Sequence, residues 1–291
     1  MAKIHIQSKR GTNALKSKLA GCGFPLQTDE HDTDVMQTDV LRAETILQVT
    51  VMENDIDTFV KCLTQFMLDD WKRSYLEEYL VQQHPFLKGD QREYLSLLVA
   101  HALTQNRVQS PDLASVLTDI EAELVRSFRQ AAASNWIDIQ GIVHFRVQGY
   151  VKLLEQGMEE MVEQFLSDAE YEEFVATLRY VLESNPPSAQ TLHVFCTDER
   201  VWISDEAGQL YQDEAVVEAA AKACPDEEVN AEDLAMSILV TRSPCRIVLH
   251  DLTQYAAWPS FAETCERVFL GRVERCHNCS TCKTIAGNEL T

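Results

Sequence analysis

The chain has 291 residues, of which 45% are hydrophobic, and a formal net charge of −21 at pH 7. That composition buries a substantial core and excludes a disordered polyanion or a small disulfide scaffold. It contains no apolar run of the roughly 20 residues needed to span a bilayer, so no transmembrane helix is expected.

The segment Met1–Asn13 is positively charged but has no apolar stretch, so a secretory signal is not expected. Nine cysteines, an odd number spread along a long chain, fit free thiols in a reducing compartment, and the expected location is cytoplasmic. The charge is uneven: residues 151–240 hold 21 Asp and Glu against 4 Lys and Arg. Such a surface repels nucleic acid, whose binding depends on cationic neutralisation, and no nucleic-acid partner is expected. It suits either plain solvation or the docking of a basic protein partner.

In chain order, "KIHIQ" (Lys3–Gln7) alternates and predicts a strand, and "NALKSKLAGCG" a short helix ended by Gly21 or Gly23. "QTDEHDTDVMQTD" is polar and predicts a loop, and "ETILQVTVM" a second strand, giving a small β-α-β start. From Asn54 the period changes to helical, with Ile56, Phe59, Val60, Leu63, Met67, Trp71, Leu76, Tyr79 and Leu80 at helical spacing. Asp90 with Glu93 opens a second helix, and Ser110-Pro111 a third. Helices are then expected over Asp138–Leu166 and Ala169–Glu183. The "SNPPSAQ" stretch ends the second, because a Pro-Pro pair cannot continue a helix.

Beyond it, "TLHVFCT" and "RVWIS" alternate as two strands, with "DEAGQL" as a turn after them. "EAVVEAAAKA" and "AEDLAMSILVT" are helical, "CRIVLHD" reads as a buried strand, "PSFAETCERVFL" as a helix and "GRVERC" as a last short strand. The fold class is therefore α+β. Residues 1–188 form a mostly helical domain with the small β-α-β start, and residues 189–291 a smaller α/β domain.

The candidate site is "ERCHNCSTCKT". Cys276, Cys279 and Cys282 follow a C-x2-C-x2-C spacing that lets a turning chain present its sulfurs to one tetrahedral ion, and zinc is the expected cofactor. His277 adjoins Cys276 and is poorly placed for the same ion. His250 is the better fourth ligand. "RIVLH" and "RVE" are joined by one helix, which makes their strands parallel, so His250 and Cys276 share a carboxyl edge. An iron–sulfur cluster lacks its fourth cysteine-proline. A redox pair, Cys279–Cys282, lacks an evident helix start at Ser280-Thr281. A solvated tail with three free thiols remains open.

Other motifs are weaker. "GCGFPL" lacks the third glycine of a dinucleotide fingerprint, and no phosphate loop, H-E-x-x-H or G-x-S-x-G occurs. Arg146 and Tyr150 are placed as helical neighbours that could hold an anion. His101 and Cys265 are assigned to the core, and Glu170, Glu172 and Glu173 to a solvated helix face.

Several stretches resemble the YtxC-like family: "GIVHFRVQGY", "EYEEFVATLRYVL", "LHVFC" and "PCRIVLHD" with "GRVERCHNCSTC". The resemblance implies a sporulation protein of endospore-forming bacteria and no defined reaction or catalytic residue. The expected function is a non-enzymatic, sporulation-associated interaction or regulatory protein with a structural metal. The alternative is an enzyme using His250, Asp251 and a cluster cysteine at the carboxyl edge of the C-terminal sheet.

Overall fold

The computed structural model describes residues 1–24, 26–27, 45–109, 111–211, 230–256 and 258–288. The loop expected after Gln27 and the helix expected at "EAVVEAAAKA" lie outside these residues, as does Ser110. The described residues form an α+β protein of two compact units, Met1–Phe165 and Leu166–Thr291.

In the first unit the strands are β1 (Ala2–Ser8), β2 (Leu26–Gln27), β3 (Thr45–Val51) and β4 (Trp136–Asp138), in the order β2-β3-β1-β4. β1 pairs antiparallel with β3 and parallel with β4. The two-residue period decides which face is covered: Ile4 and Ile6 of β1 and Leu47, Val49 and Val51 of β3 are buried, while the intervening positions are not. Helix α1 (Thr12–Gly21) follows β1 and ends where Gly23 takes a left-handed backbone, φ +85°.

The periodic stretch after Asn54 is helical throughout. It comprises a 3-10 turn (Glu53–Asp55), α2 (Ile56–Phe66), a π-helical turn (Met67–Trp71) and α3 (Lys72–Gln83). Helices α4 (Gly89–Gln109), α5 (Pro111–Ala133) and α6 (Ile139–Phe145) complete the unit, together with the first part of α7 (Gln148–Ser184). Its core gathers Trp71, Phe59, Phe66, Phe128 and Tyr150.

Two expectations need correction here. The helix expected from Asp138 begins as strand β4 and is interrupted at Arg146–Val147, and the break expected between Leu166 and Ala169 does not occur, since α7 runs through. β4 is three residues that become a strand because β1 supplies ladder partners, a tertiary cause invisible in the local pattern.

The second unit holds β5 (Ser188–Cys196), β6 (Val201–Ser204), α8 (Ala231–Arg242), β7 (Pro244–Asp251), α9 (Phe261–Val268), β8 (Val273–Arg275) and α10 (Ser280–Asn288). Sheet order is β6-β5-β7-β8. β5 and β6 are antiparallel, and β5–β7 and β7–β8 are parallel. Leu192, Val194, Ile203, Ile247 and Leu249 share a core with Leu239 of α8, Cys265 and Val268 of α9, and Val175 and Leu182 of α7. The contacts thus group the part of α7 from Leu166 onward with the α/β part.

Helix α9 is fixed at its start by a capping box. The Ser260 hydroxyl accepts from the Glu263 N–H, and the Glu263 carboxylate accepts from the Ser260 N–H. This helix sets the crossover that makes β7 and β8 parallel. We expect Ser260→Ala to cost about 1 kcal/mol, read as a lower urea midpoint with an unchanged slope; an unmoved midpoint would show the cap contributes nothing.

Candidate metal centre at the carboxyl edge of the second sheet

The βαβ arrangement aligns the ends of β7 and β8. The ladder continues one residue past β8, where the Cys276 N–H donates to the Leu249 carbonyl at 2.8 Å. Cys276 therefore starts the terminal segment beside His250, the next residue along β7. The chain then turns through Asn278, which adopts a left-handed backbone (φ 62°), a conformation asparagine tolerates better than most residues. That turn carries Cys279 back beside Cys276. Helix α10 begins at the following residue, placing Cys282 in its first turn.

The result is a four-residue constellation. One ligand atom from each of His250, Cys276, Cys279 and Cys282 lies within 4.8 Å of every other, close enough to hold a metal ion. His250 Nδ1 is 3.2 Å from Cys282 Sγ and 3.7 Å from Cys279 Sγ. Cys279 and Cys282 sulfurs are 3.6 Å apart, and those of Cys276 and Cys282 3.9 Å. For comparison, a tetrahedral ion with Zn–S of about 2.3 Å and Zn–N of about 2.0 Å has S···S edges of about 3.8 Å and S···N edges of about 3.5 Å. These four separations match the edges of such a tetrahedron to within a few tenths of an ångström, and those from Cys276 to Cys279 and to His250 lie within 4.8 Å. His277, excluded on spacing, is exposed and outside the group.

The ring of His250 is held on three sides. Its Nε2 lies 2.9 Å from Nδ1 of His193, so an N–H donated to His193 leaves Nδ1 unprotonated and facing the sulfurs. Its face stacks on Phe195, its lateral partner on β5, at 4.1 Å between centroids and 8° between planes. Phe195 stacks in turn on Trp202 of β6 at 5.2 Å, and the Arg200 guanidinium lies 5.0 Å from the Trp202 ring centre. A ladder of planar groups thus crosses three strands and ends on the imidazole.

Electrostatics favour the ligand forms unequally. Burial, and then the neighbouring His193, push the His250 imidazole down, toward its neutral form. The Cys282 backbone N–H at the start of α10 lowers the Cys279 thiol to about 7 against the opposing effect of burial. Burial, reinforced by the adjacent thiols, pushes Cys282 up to about 12.

Asp251 does not join the group. Its carboxylate accepts from the Thr253 N–H and hydroxyl and pairs with Arg275 at 3.0 Å, while Arg275 also holds Glu266. These pairs brace β7 against β8 and α9. Elsewhere, Cys265 is fully buried as expected, but His101 is exposed. Arg146 falls in the break before α7 and is exposed, while Tyr150 is buried with its ring against Trp71, so they do not form the helical pair expected. Glu172 is not merely solvated: it accepts from Arg267 at 2.6 Å. The sequence reading missed His193, Phe195 and Trp202; the only available signal was their alternation along two adjacent strands. It also missed α10, whose onset at Ser280 removes the objection to a helix start beside Cys279.

A family model for the YtxC-like family matches residues 57–274. The chain belongs to the YtxC-like family. The matched span includes His250 and His193 and ends before Cys276. No curated protein and no solved structure matches the chain.

Because His193 contacts the far nitrogen of the His250 ring, we expect that, if the group holds an ion, His193→Ala weakens its affinity for added zinc about 10- to 100-fold in competition with a chromophoric chelator. His193→Gln, which keeps an acceptor, should lose less. Equal affinities in all three proteins would show that the His193 contact does not set the ring.

Proposed function

We propose that this chain is a non-enzymatic sporulation protein whose C-terminal unit is closed by a structural zinc ion held by His250, Cys276, Cys279 and Cys282. The observation that carries the metal reading is the convergence of four side chains from three separate segments, β7, the turn after β8, and α10, with ligand atoms all within 4.8 Å of one another and four of the separations near tetrahedral edge lengths. Cysteine-rich, nitrogen-poor donor sets favour zinc over harder ions. Membership of the YtxC-like family supports the sporulation context.

The ion's role is to tie the terminal helix to the sheet. A helix as short as α10 is marginal by itself, and Cys282 in its first turn is buried, at 2% exposed. An interaction role in the cytoplasm fits the acid-rich composition of residues 151–240, which suits a basic protein partner. Among the described residues, no helix is long and apolar enough to cross a membrane.

An imidazole 3.2 Å from a thiol is also what a cysteine-dependent enzyme would use. Burial favours the structural reading: His250 and Cys282 are 4% and 2% exposed, and Asp251 is committed to Arg275 rather than to the imidazole.

Elemental analysis of the full chain, purified without an affinity tag, should find one zinc per chain. Chelation should raise amide hydrogen exchange over residues 276–288 and leave the first unit unchanged. A metal-free chain whose terminal helix is equally protected would contradict the proposal.

A further inference from the structure

The ion's cage contains a pair of thiols with a second chemistry. Cys279 and Cys282 lie at the start of α10 with two residues between them, so they face each other across its first turn, 3.6 Å apart. Cys276 is farther from Cys282, at 3.9 Å. The two thiols are also unequal: Cys279 is half-buried beside the helix N–H groups, whereas Cys282 is closed off beneath it. An accessible thiol at a helix start backed by a buried one is the arrangement of an attacking and a resolving cysteine.

Resting on the metal reading above, we propose that Cys279 and Cys282 form a peroxide-sensitive switch, in which their oxidation to a disulfide expels the ion and frees the terminal helix. The oxidant is a hydroperoxide, with hydrogen peroxide the simplest. The Cys279 thiolate attacks one peroxide oxygen, the O–O bond breaks, and hydroxide leaves, giving a sulfenic acid. The Cys282 sulfur then attacks the Cys279 sulfur, the S–O bond breaks, and a second hydroxide leaves. Two protons convert the hydroxides to water, the two sulfurs have supplied two electrons, and the zinc departs with its charge unchanged.

Closing the bond requires the sulfurs to approach from 3.6 Å to about 2.05 Å. This shift removes two of the four ligands. His250 and Cys276 alone do not complete a tetrahedral structural site. The redox state of one helical turn therefore decides whether the last segment is anchored to the sheet, and a thiol reductant with fresh zinc restores it.

The test uses the full zinc-loaded chain treated with hydrogen peroxide, with released zinc followed by a chromophoric chelator and disulfides mapped by mass spectrometry without reduction. Cys22 and Cys245, both exposed, serve as internal references. The expected result is one zinc released per Cys279–Cys282 crosslink, before Cys22 or Cys245 is oxidised, and reversed by dithiothreitol with added zinc. Cys279→Ser should give no crosslink at Cys282. Zinc retained while Cys22 and Cys245 oxidise overturns the switch and leaves the metal site standing. A crosslink between Cys276 and Cys282 overturns the assignment of the pair. Running the metal-free chain in parallel separates the two readings: a chain that never holds zinc but forms the Cys279–Cys282 crosslink defeats the metal site while retaining the thiol pair.

Discussion

The parallel pairing of β7 with β8 is the constraint on which the C-terminal site depends. Parallel strands end at the same edge, and the crossover through α9 makes these two parallel. His250 leaves one strand and Cys276 the other at that edge, and the Cys276 N–H still belongs to the ladder. Two of the four candidate ligand residues are thus placed by the strand ladder itself. The remaining two follow from a left-handed asparagine and the onset of a helix. Rigid elements supply the edge, and a short turn supplies the adaptability a metal cage requires.

The sheet also explains why the imidazole is so firmly oriented. His250, Phe195 and Trp202 are lateral neighbours on three strands, so strand spacing itself stacks their rings. His193, two positions before Phe195 on the same face, meets the far nitrogen of the ring. On the opposite face, Leu192, Val194, Ile247 and Leu249 bury against α7, α8 and α9. One face of a small sheet therefore holds the core and the other builds the site. The braces Arg275–Asp251 and Arg275–Glu266 lie at its margin and are partly exposed. Their worth lies in fixing geometry more than in stability.

Much of this was legible in the sequence. The strand at Lys3–Gln7, the long helical run after Asn54, the strand at "CRIVLHD" and the βαβ logic joining His250 to Cys276 all rested on periods and breakers that act locally. What escaped was set by distant partners. Trp136–Asp138 is a strand because β1 lies beside it, and α7 continues past Leu166 without the expected pause. His193 carries no motif and becomes meaningful only when β5 and β7 are known to be parallel neighbours. The terminal helix was hidden because its start signal is a cysteine, which reads in sequence as a ligand rather than as the head of a helix.

The family match places His250 and His193 within the shared region and the three cysteines just beyond it. The sheet edge therefore lies within the span that the family model matches, and the terminal turn and helix bring the three thiols to it. X-ray absorption at the zinc edge on the full chain, purified without a tag, tests this account most directly. It predicts about three sulfur scatterers near 2.3 Å and one nitrogen near 2.0 Å. A shell of oxygens, a sulfur-only shell, or no zinc at all would contradict it.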